Sequence, residues 1–137
     1  MKGSTNSLVG TDIEYENLNI TLITNQNDHS DLVGTNIKVI YENEENNYTY
    51  AGSVMNIKIP AYVQYTIYFS KVDNYNTPDN ITGIAVANNS QTISIEYKTE
   101  LVSVTSNVEG APITINGVKY TYDGNPITVK IAYGTEY

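Results

Sequence analysis

The chain lacks cysteine, arginine and tryptophan altogether, and among its 137 residues it has one histidine and one phenylalanine. Without cysteine there is no disulfide, no thiolate nucleophile, no iron–sulfur cluster and no cysteine zinc site. Without arginine, all 7 basic residues are lysines, set against 15 acids for a net charge of −8. Recognition of nucleic acid relies on basic patches and on the arginine fork, so that partner is excluded, and an anionic membrane surface repels the chain. Apolar runs are short, far below the roughly 18 residues that cross a bilayer. No membrane insertion is expected. The start, Met1 to Ser7, lacks the apolar stretch of a secretory signal.

What the chain does contain is skewed. Thirteen tyrosines accompany abundant asparagine, isoleucine and threonine. Together with the missing arginine, this is the codon bias of an AT-rich genome and points to a microbial or phage origin. Hydrophobic residues make up 40% and charged residues 16%, a balance that supports a packed core.

One motif occurs twice. Tyr48-Thr49-Tyr50-Ala51-Gly52, Ile57-Lys58-Ile59 and Tyr65 reappear 72 residues later as Tyr120-Thr121-Tyr122-Asp123-Gly124, Val129-Lys130-Ile131 and Tyr137, with 7 aligned positions identical. A repeat at fixed spacing predicts modular architecture. Around it the apolar residues alternate with period two: Ile20 and Leu22; Ile37, Val39 and Tyr41; Tyr48 and Tyr50; Met55, Ile57 and Ile59; Tyr65, Ile67 and Phe69; Ile81 to Ala87; and Ile93, Ile95 and Tyr97. Seven such strands, rich in β-branched residues and parted by turn signals, predict an all-β antiparallel sandwich of immunoglobulin-like or transthyretin-like type.

The second copy begins near Leu101. Val102 and Val104 alternate first, then Ile113 and Ile115 lead into Asn116-Gly117, the strongest hairpin signal in the chain. Val118, Tyr120 and Tyr122 return, and Ile127, Val129 and Ile131 follow. The first copy has four extra residues between Val39 and Tyr48, expected at a hairpin tip over Glu42 to Asn46. The predicted organisation is a polar N-terminal arm over 1–18, a complete sandwich over 19–99 and a second, truncated repeat over 100–137.

The stretch from Val102 to Asn107, through Gly110-Ala111-Pro112-Ile113-Thr114-Ile115-Asn116-Gly117 and Asp123-Gly124-Asn125-Pro126, to Gly134-Thr135-Glu136-Tyr137, resembles the PEGA-type repeat, a small β-sandwich module of bacterial surface proteins. Gly34-Thr35, Ile57-Lys58-Ile59-Pro60-Ala61 and Tyr65-Thr66-Ile67 resemble the collagen-adhesin B-type and transthyretin-like modules of microbial stalks, pili and phage fibres. Together the resemblances span residues 19 to 137. The chain departs from them at Val54, where the second copy has Pro126. It departs again in Asn19 to Thr24, which holds no lysine to match the one that forms an internal isopeptide bond in adhesin modules. No cross-link is expected, and an intact mass 17 or 18 Da low, the loss of ammonia or water, is the outcome that overturns this.

Candidate sites are few. His29, between Asp28 and Ser30, lacks the nucleophile and further ligands that a triad or a metal site needs, and reads as a polar loop. Glu42, Glu44 and Glu45 form an oxygen-rich cluster without the glycine-turned spacing of a calcium loop. The loop Asp73 to Asn80 is ordinary turn chemistry. Four sequons, at Asn19, Asn47, Asn80 and Asn88, are chance matches in a chain this rich in Asn and Thr. Tyr48, Tyr50, Tyr120 and Tyr122 sit at core-type positions, which leaves Tyr62, Tyr68 and Tyr75 as the candidate contact surface. No catalytic residue, cofactor or metal is predicted, and the chain is not expected to be an enzyme.

The resemblance and the repeat imply a structural and adhesive module, displayed on an extracellular cell surface or a virion, whose partners are proteins: itself or neighbouring subunits. The alternative is a carbohydrate-binding module that stacks sugars on Tyr62, Tyr68 or Tyr75. With Met1 as the natural start the phage setting is favoured, and otherwise the bacterial surface. The second copy stops where the Tyr65 strand of the first begins. Residues 101 to 137 are therefore expected either to form an exposed, less stable meander or to be completed by another protomer through its Thr11 to Leu18 arm.

Overall fold

The computed structural model describes residues 14–137. Strand β1 (Tyr15–Thr24) buries every second residue: Glu16, Leu18, Ile20, Leu22 and Thr24. It therefore starts inside the region predicted as an arm. The alternation of Leu18, Ile20 and Leu22 extends backward through Glu16, whose buried carboxylate accepts hydrogen bonds from the Val86 N–H at 3.2 Å and the Asn89 side-chain amide at 2.6 Å. A satisfied carboxylate can occupy a core position, so polar composition there misreads as an arm. The remainder of the expected arm, residues 1–13, lies outside the described residues.

Six more strands complete the N-terminal unit: β2 (Asn36–Tyr41), β3 (Glu44–Thr49), β4 (Met55–Pro60), β5 (Gln64–Phe69), β6 (Ile81–Ile84) and β7 (Asn89–Tyr97). They form a three-stranded sheet, β4-β1-β7, and a four-stranded sheet, β3-β2-β5-β6. Leu18, Ile20, Leu22, Ile57, Ile59 and Tyr97 from the first sheet meet Ile37, Val39, Tyr65, Ile67 and Phe69 from the second in one core. Each such Ile or Leu contributes about 1.5–3 kcal/mol by leaving water. The expected all-β sandwich is what forms. Its ladders are antiparallel with one exception, since β1 and β7 run parallel.

The hairpin of β2 and β3 corrects the expected site of the four extra residues. Tyr41 pairs with Glu44 and Ile115 pairs with Val118, so both hairpins close on two residues, Glu42-Asn43 and Asn116-Gly117. All four tip residues have positive φ, at 52°, 61°, 49° and 80°, as a twist-compatible two-residue turn requires. The additional residues are Ile40, Tyr41, Glu44 and Glu45, two in each arm. Ladder pairing satisfies their backbone groups, which a loop of the same length would leave to water.

Only Lys98 separates β7 from β8 (Thr99–Val104), which pairs antiparallel with β11 (Ile127–Ala132). Between them β9 (Pro112–Ile115) and β10 (Val118–Thr121) form the Asn116-Gly117 hairpin. In the N-terminal unit Tyr50 donates its N–H to Thr35 O and accepts from the Gly34 N–H; in the C-terminal unit Tyr122 donates to Ala111 O and accepts from the Gly110 N–H. Gly34 and Gly110 have φ of 95° and 86°, and Gly52 and Gly124 both have φ of 99°.

Candidate functional site

Burial falls sharply across Lys98. Beyond it, Ile131 is the one fully buried hydrophobic among the described residues, whereas Val102, Val104, Ile113, Ile115, Ile127 and Val129 are half-exposed. The cause is a missing layer. In the N-terminal unit β2 is flanked by β3 and β5, and β1 by β4 and β7. Among the described residues their positional counterparts β9 and β8 have one neighbour each, β10 and β11. An open groove of about 480 Å³ lies between β10 and β11, lined by Ile115, Val118, Tyr120, Val129 and Ile131 together with the polar Asn74, Asn116, Thr128 and Lys130. A strand edge unpaired among the described residues, such as those of β8 and β9, is chemically suited to accepting an extended segment of another chain.

The groove ends at the junction of the two units, where charge is organised. Lys130 Nζ on β11 donates to Asp31 Oδ2 at 2.7 Å and to the Tyr75 hydroxyl at 3.3 Å, and Tyr75 donates to the same Asp31 oxygen at 2.6 Å. The hydrogen bonds from Lys130 and then Tyr75 hold the Asp31 carboxyl below its ordinary range. The same contact with Asp31 raises Lys130, while burial, followed by the bond to Asp31, raises Tyr75. Beside this cluster the Asn25 side-chain amide donates to Thr99 O at 2.8 Å and accepts from the Thr99 N–H at 3.0 Å. The buried Thr99 hydroxyl donates to Ile131 O at 3.0 Å. Asn76 N–H reaches Lys98 O at 2.9 Å, so the 70–80 loop also grips the linker.

Of the three candidate contact residues, Tyr75 is therefore corrected. It is 3% exposed, wedged at the junction with its hydroxyl spoken for. Tyr62 is 76% exposed in the turn between β4 and β5. Its φ is 69°, an outlier for a bulky side chain. Tyr68 is half-buried on the outer face of β5 beneath Lys38, whose ammonium lies 4.9 Å from the ring centroid. Six residues of extended chain, up to about 20 Å, separate Tyr62 from Tyr68, so the two do not form one stacking platform.

The other candidates are placed by the fold. His29 Nδ1 accepts the Thr24 N–H at 2.9 Å and closes the loop after β1. Glu42 belongs to the β2–β3 tip, and Glu44 and Glu45 extend into β3, all three exposed. Among the described residues no three His, Asp or Glu side chains gather to hold a metal ion. The Thr11 to Leu18 donor segment is corrected too, since Tyr15 to Leu18 already pair with β4 and all but Tyr15 also pair with β7 of the same chain. Asp31, Lys130 and Glu16 are not among the site residues read from the sequence. Asp31 and Lys130 are 99 residues apart and carry no local signal, whereas Glu16 keeps the parity of Leu18 and was detectable.

No protein-family model matches the sequence, and no curated protein is similar to it. Among solved structures, one described as "The Bacillus anthracis TIE protein" is similar with a TM-score of 0.52 at 13% identity, over 86% of this chain and 26% of its own. That likeness shows a shared β-rich fold, and the present chain spans about a quarter of that protein's length.

Proposed function

We propose that the chain is a non-enzymatic structural and adhesive element, built from two copies of one β-module and displayed on a microbial cell surface or a virion. The observation that carries this reading is the end-to-end series of two β-units. The glycine turns and the tyrosine bonding of Gly34, Gly52 and Tyr50 recur at Gly110, Gly124 and Tyr122, with a single residue between β7 and β8. Chains built this way act as spacers, and each unit contacts its neighbours. The resemblance to PEGA-type and collagen-adhesin B-type repeats supports the same reading. The edge of β9 that corresponds to the β5-paired edge of β2 is where a self or neighbouring subunit contributes a strand patterned like β5. Immunolabelling of intact cells or particles of the source organism tests the setting: signal at the exterior supports it, and antigen recovered only from the soluble interior overturns it.

A second reading rests on Tyr62, whose exposure and strained backbone mark a contact residue. With Tyr62 or Tyr68 as a platform the chain binds carbohydrate. A glycan array together with chemical-shift titration at millimolar sugar decides it. Shifts confined to Tyr62 or Tyr68 favour the sugar reading, and none remove it.

A further inference from the structure

Residues Glu16 to Thr24 of β1 lie beside Asn89 to Tyr97 of β7 in nine consecutive parallel pairs. Parallel pairing of the first and last strands has a geometric consequence. The polypeptide enters β1 at the pole marked by Tyr15, Pro60 and Asn89, and leaves β7 at the opposite pole, where Asn25 meets Thr99. At about 3.3 Å per residue the two poles are about 30 Å apart. Tension on the flanking chain therefore pulls β1 and β7 in opposite directions along their common axis. The evenly spaced bonds of a parallel ladder then share the load and must yield together.

Two neighbouring features add to the ladder. β1 is the central strand of its sheet, held on its other side by β4 over six pairs from Tyr15 to Ile20. Its inward side chains Leu18, Ile20 and Leu22 are at most 1% exposed, interlocked with the opposite sheet. No disulfide assists, since the chain has no cysteine.

The C-terminal unit is built the other way. Thr99 and Ala132, where the chain enters β8 and leaves β11, are paired with each other across an antiparallel ladder. Tension through those two residues opens the ladder from one end, one bond at a time.

We propose that the β1–β7 ladder is a shear clamp, which makes the N-terminal unit the tension-bearing element of this chain and the C-terminal unit a soft element in series with it. The physiological meaning rests on the spacer reading above, because only a tethered spacer is stretched. The mechanical property itself does not.

The full chain, free of native cysteine, accepts paired cysteine handles for single-molecule force spectroscopy. Handles at Glu14→Cys and Lys98→Cys shear the ladder, whereas handles at Glu14→Cys and Ala87→Cys peel the same two strands from their shared end. Both positions beyond β1 flank β7 and leave its residues intact. At equal loading rate and equal equilibrium stability, the first pair is expected to give a several-fold higher unfolding force. Forced unfolding reports the barrier along the pulled coordinate, so a difference at equal stability isolates geometry. Pulling the chain from Glu14 to Tyr137 is expected to show a low-force event that releases about the length of residues 99–132, then a high-force event. Equal forces along the two axes, or release of the N-terminal unit first, overturn the clamp while leaving the spacer reading intact. An interior location in the immunolabelling experiment removes the spacer reading and leaves the anisotropy standing.

Discussion

Glu16 is a carboxylate in the core, 2% exposed, and its two acceptor contacts tie the start of β1 to the turn that begins β7. Glu16→Ala leaves the Val86 N–H and the Asn89 amide without that partner and is expected to cost about 1–3 kcal/mol in chemical denaturation. Gly83 has a different constraint. A Cβ built there meets the Tyr65 hydroxyl at 2.6 Å, inside any real contact distance, and Tyr65 is 4% exposed with little room to move. Gly83→Ala is expected to destabilise the N-terminal unit by about 1–3 kcal/mol through overpacking, read as a lower denaturation midpoint with unchanged slope. Tyr97 provides a pH signature. Burial pushes its phenol up to about 12 while its hydroxyl donates to Ser70 O at 2.7 Å. A phenol raised in the folded state contributes stability that is whole below the ordinary tyrosine value and is lost as pH rises towards the folded one. Stability is therefore expected to fall between about pH 10 and 12, and Tyr97→Phe should flatten that limb while losing about 0.5–1.5 kcal/mol at neutral pH.

At the level of strands, alternation in the sequence located the elements well. Ten of the eleven strands overlap the apolar runs that predict them, whereas the first half of β3 (Glu44–Thr49) lies over the stretch expected as a hairpin tip. Alternation fixes which face a residue shows, but not which strand lies beside it. The parallel β1–β7 pairing therefore had no sequence signal, and neither did the place of Tyr75, whose hydroxyl meets Lys130, 55 residues away. The hairpins show how local chemistry determined what alternation did not. Asn116-Gly117 announced its turn, whereas Glu42-Asn43 adopts positive φ with a residue that resists it, which widened the expected tip to Glu42–Asn46 and misplaced the extra residues. Gly117→Ala isolates that backbone cost, since nothing lies within 4 Å of the added Cβ. It is expected to destabilise the β9–β10 hairpin by about 1 kcal/mol, seen as faster amide exchange over Val118 to Thr121 with β1 to β7 unaffected. Shortening β2–β3 tests register. In an antiparallel ladder bonded and non-bonded pairs alternate, and a two-residue turn closes on a bonded pair. Removing Ile40, Tyr41, Glu44 and Glu45 together should leave a folded protein. Removing only Tyr41 and Glu44 should disrupt the tip, as hairpin amide shifts would reveal.

The molecule as a whole is uneven, with a closed sandwich joined to an open-faced unit through a polar clasp. Asp31, held low, contributes stability above the ordinary carboxylate range and loses it as pH falls through its lowered pKa; Lys130, held high, contributes below the ordinary ammonium value and loses it as pH rises through its raised one. The clasp is therefore complete between about pH 4 and 10. Both side chains are more than a third exposed, so after solvent screening the pair is worth about 0.2–1 kcal/mol. Asp31→Asn is expected to loosen the angle between the units, with the N-terminal unit's midpoint almost unmoved, as scattering at low and high salt would register. The β1–β7 ladder also has a consequence for biosynthesis. Glu16 and its contact Asn89 are 73 residues apart, so at about 5–20 residues per second a ribosome delivers β7 roughly 4–15 s after β1 has emerged. Throughout that interval one edge of β1 stays open in a crowded cell. The nascent chain thus passes through a vulnerable window, set by translation speed, in which a holding chaperone has work to do and a premature stop before Asn89 yields an aggregation-prone product.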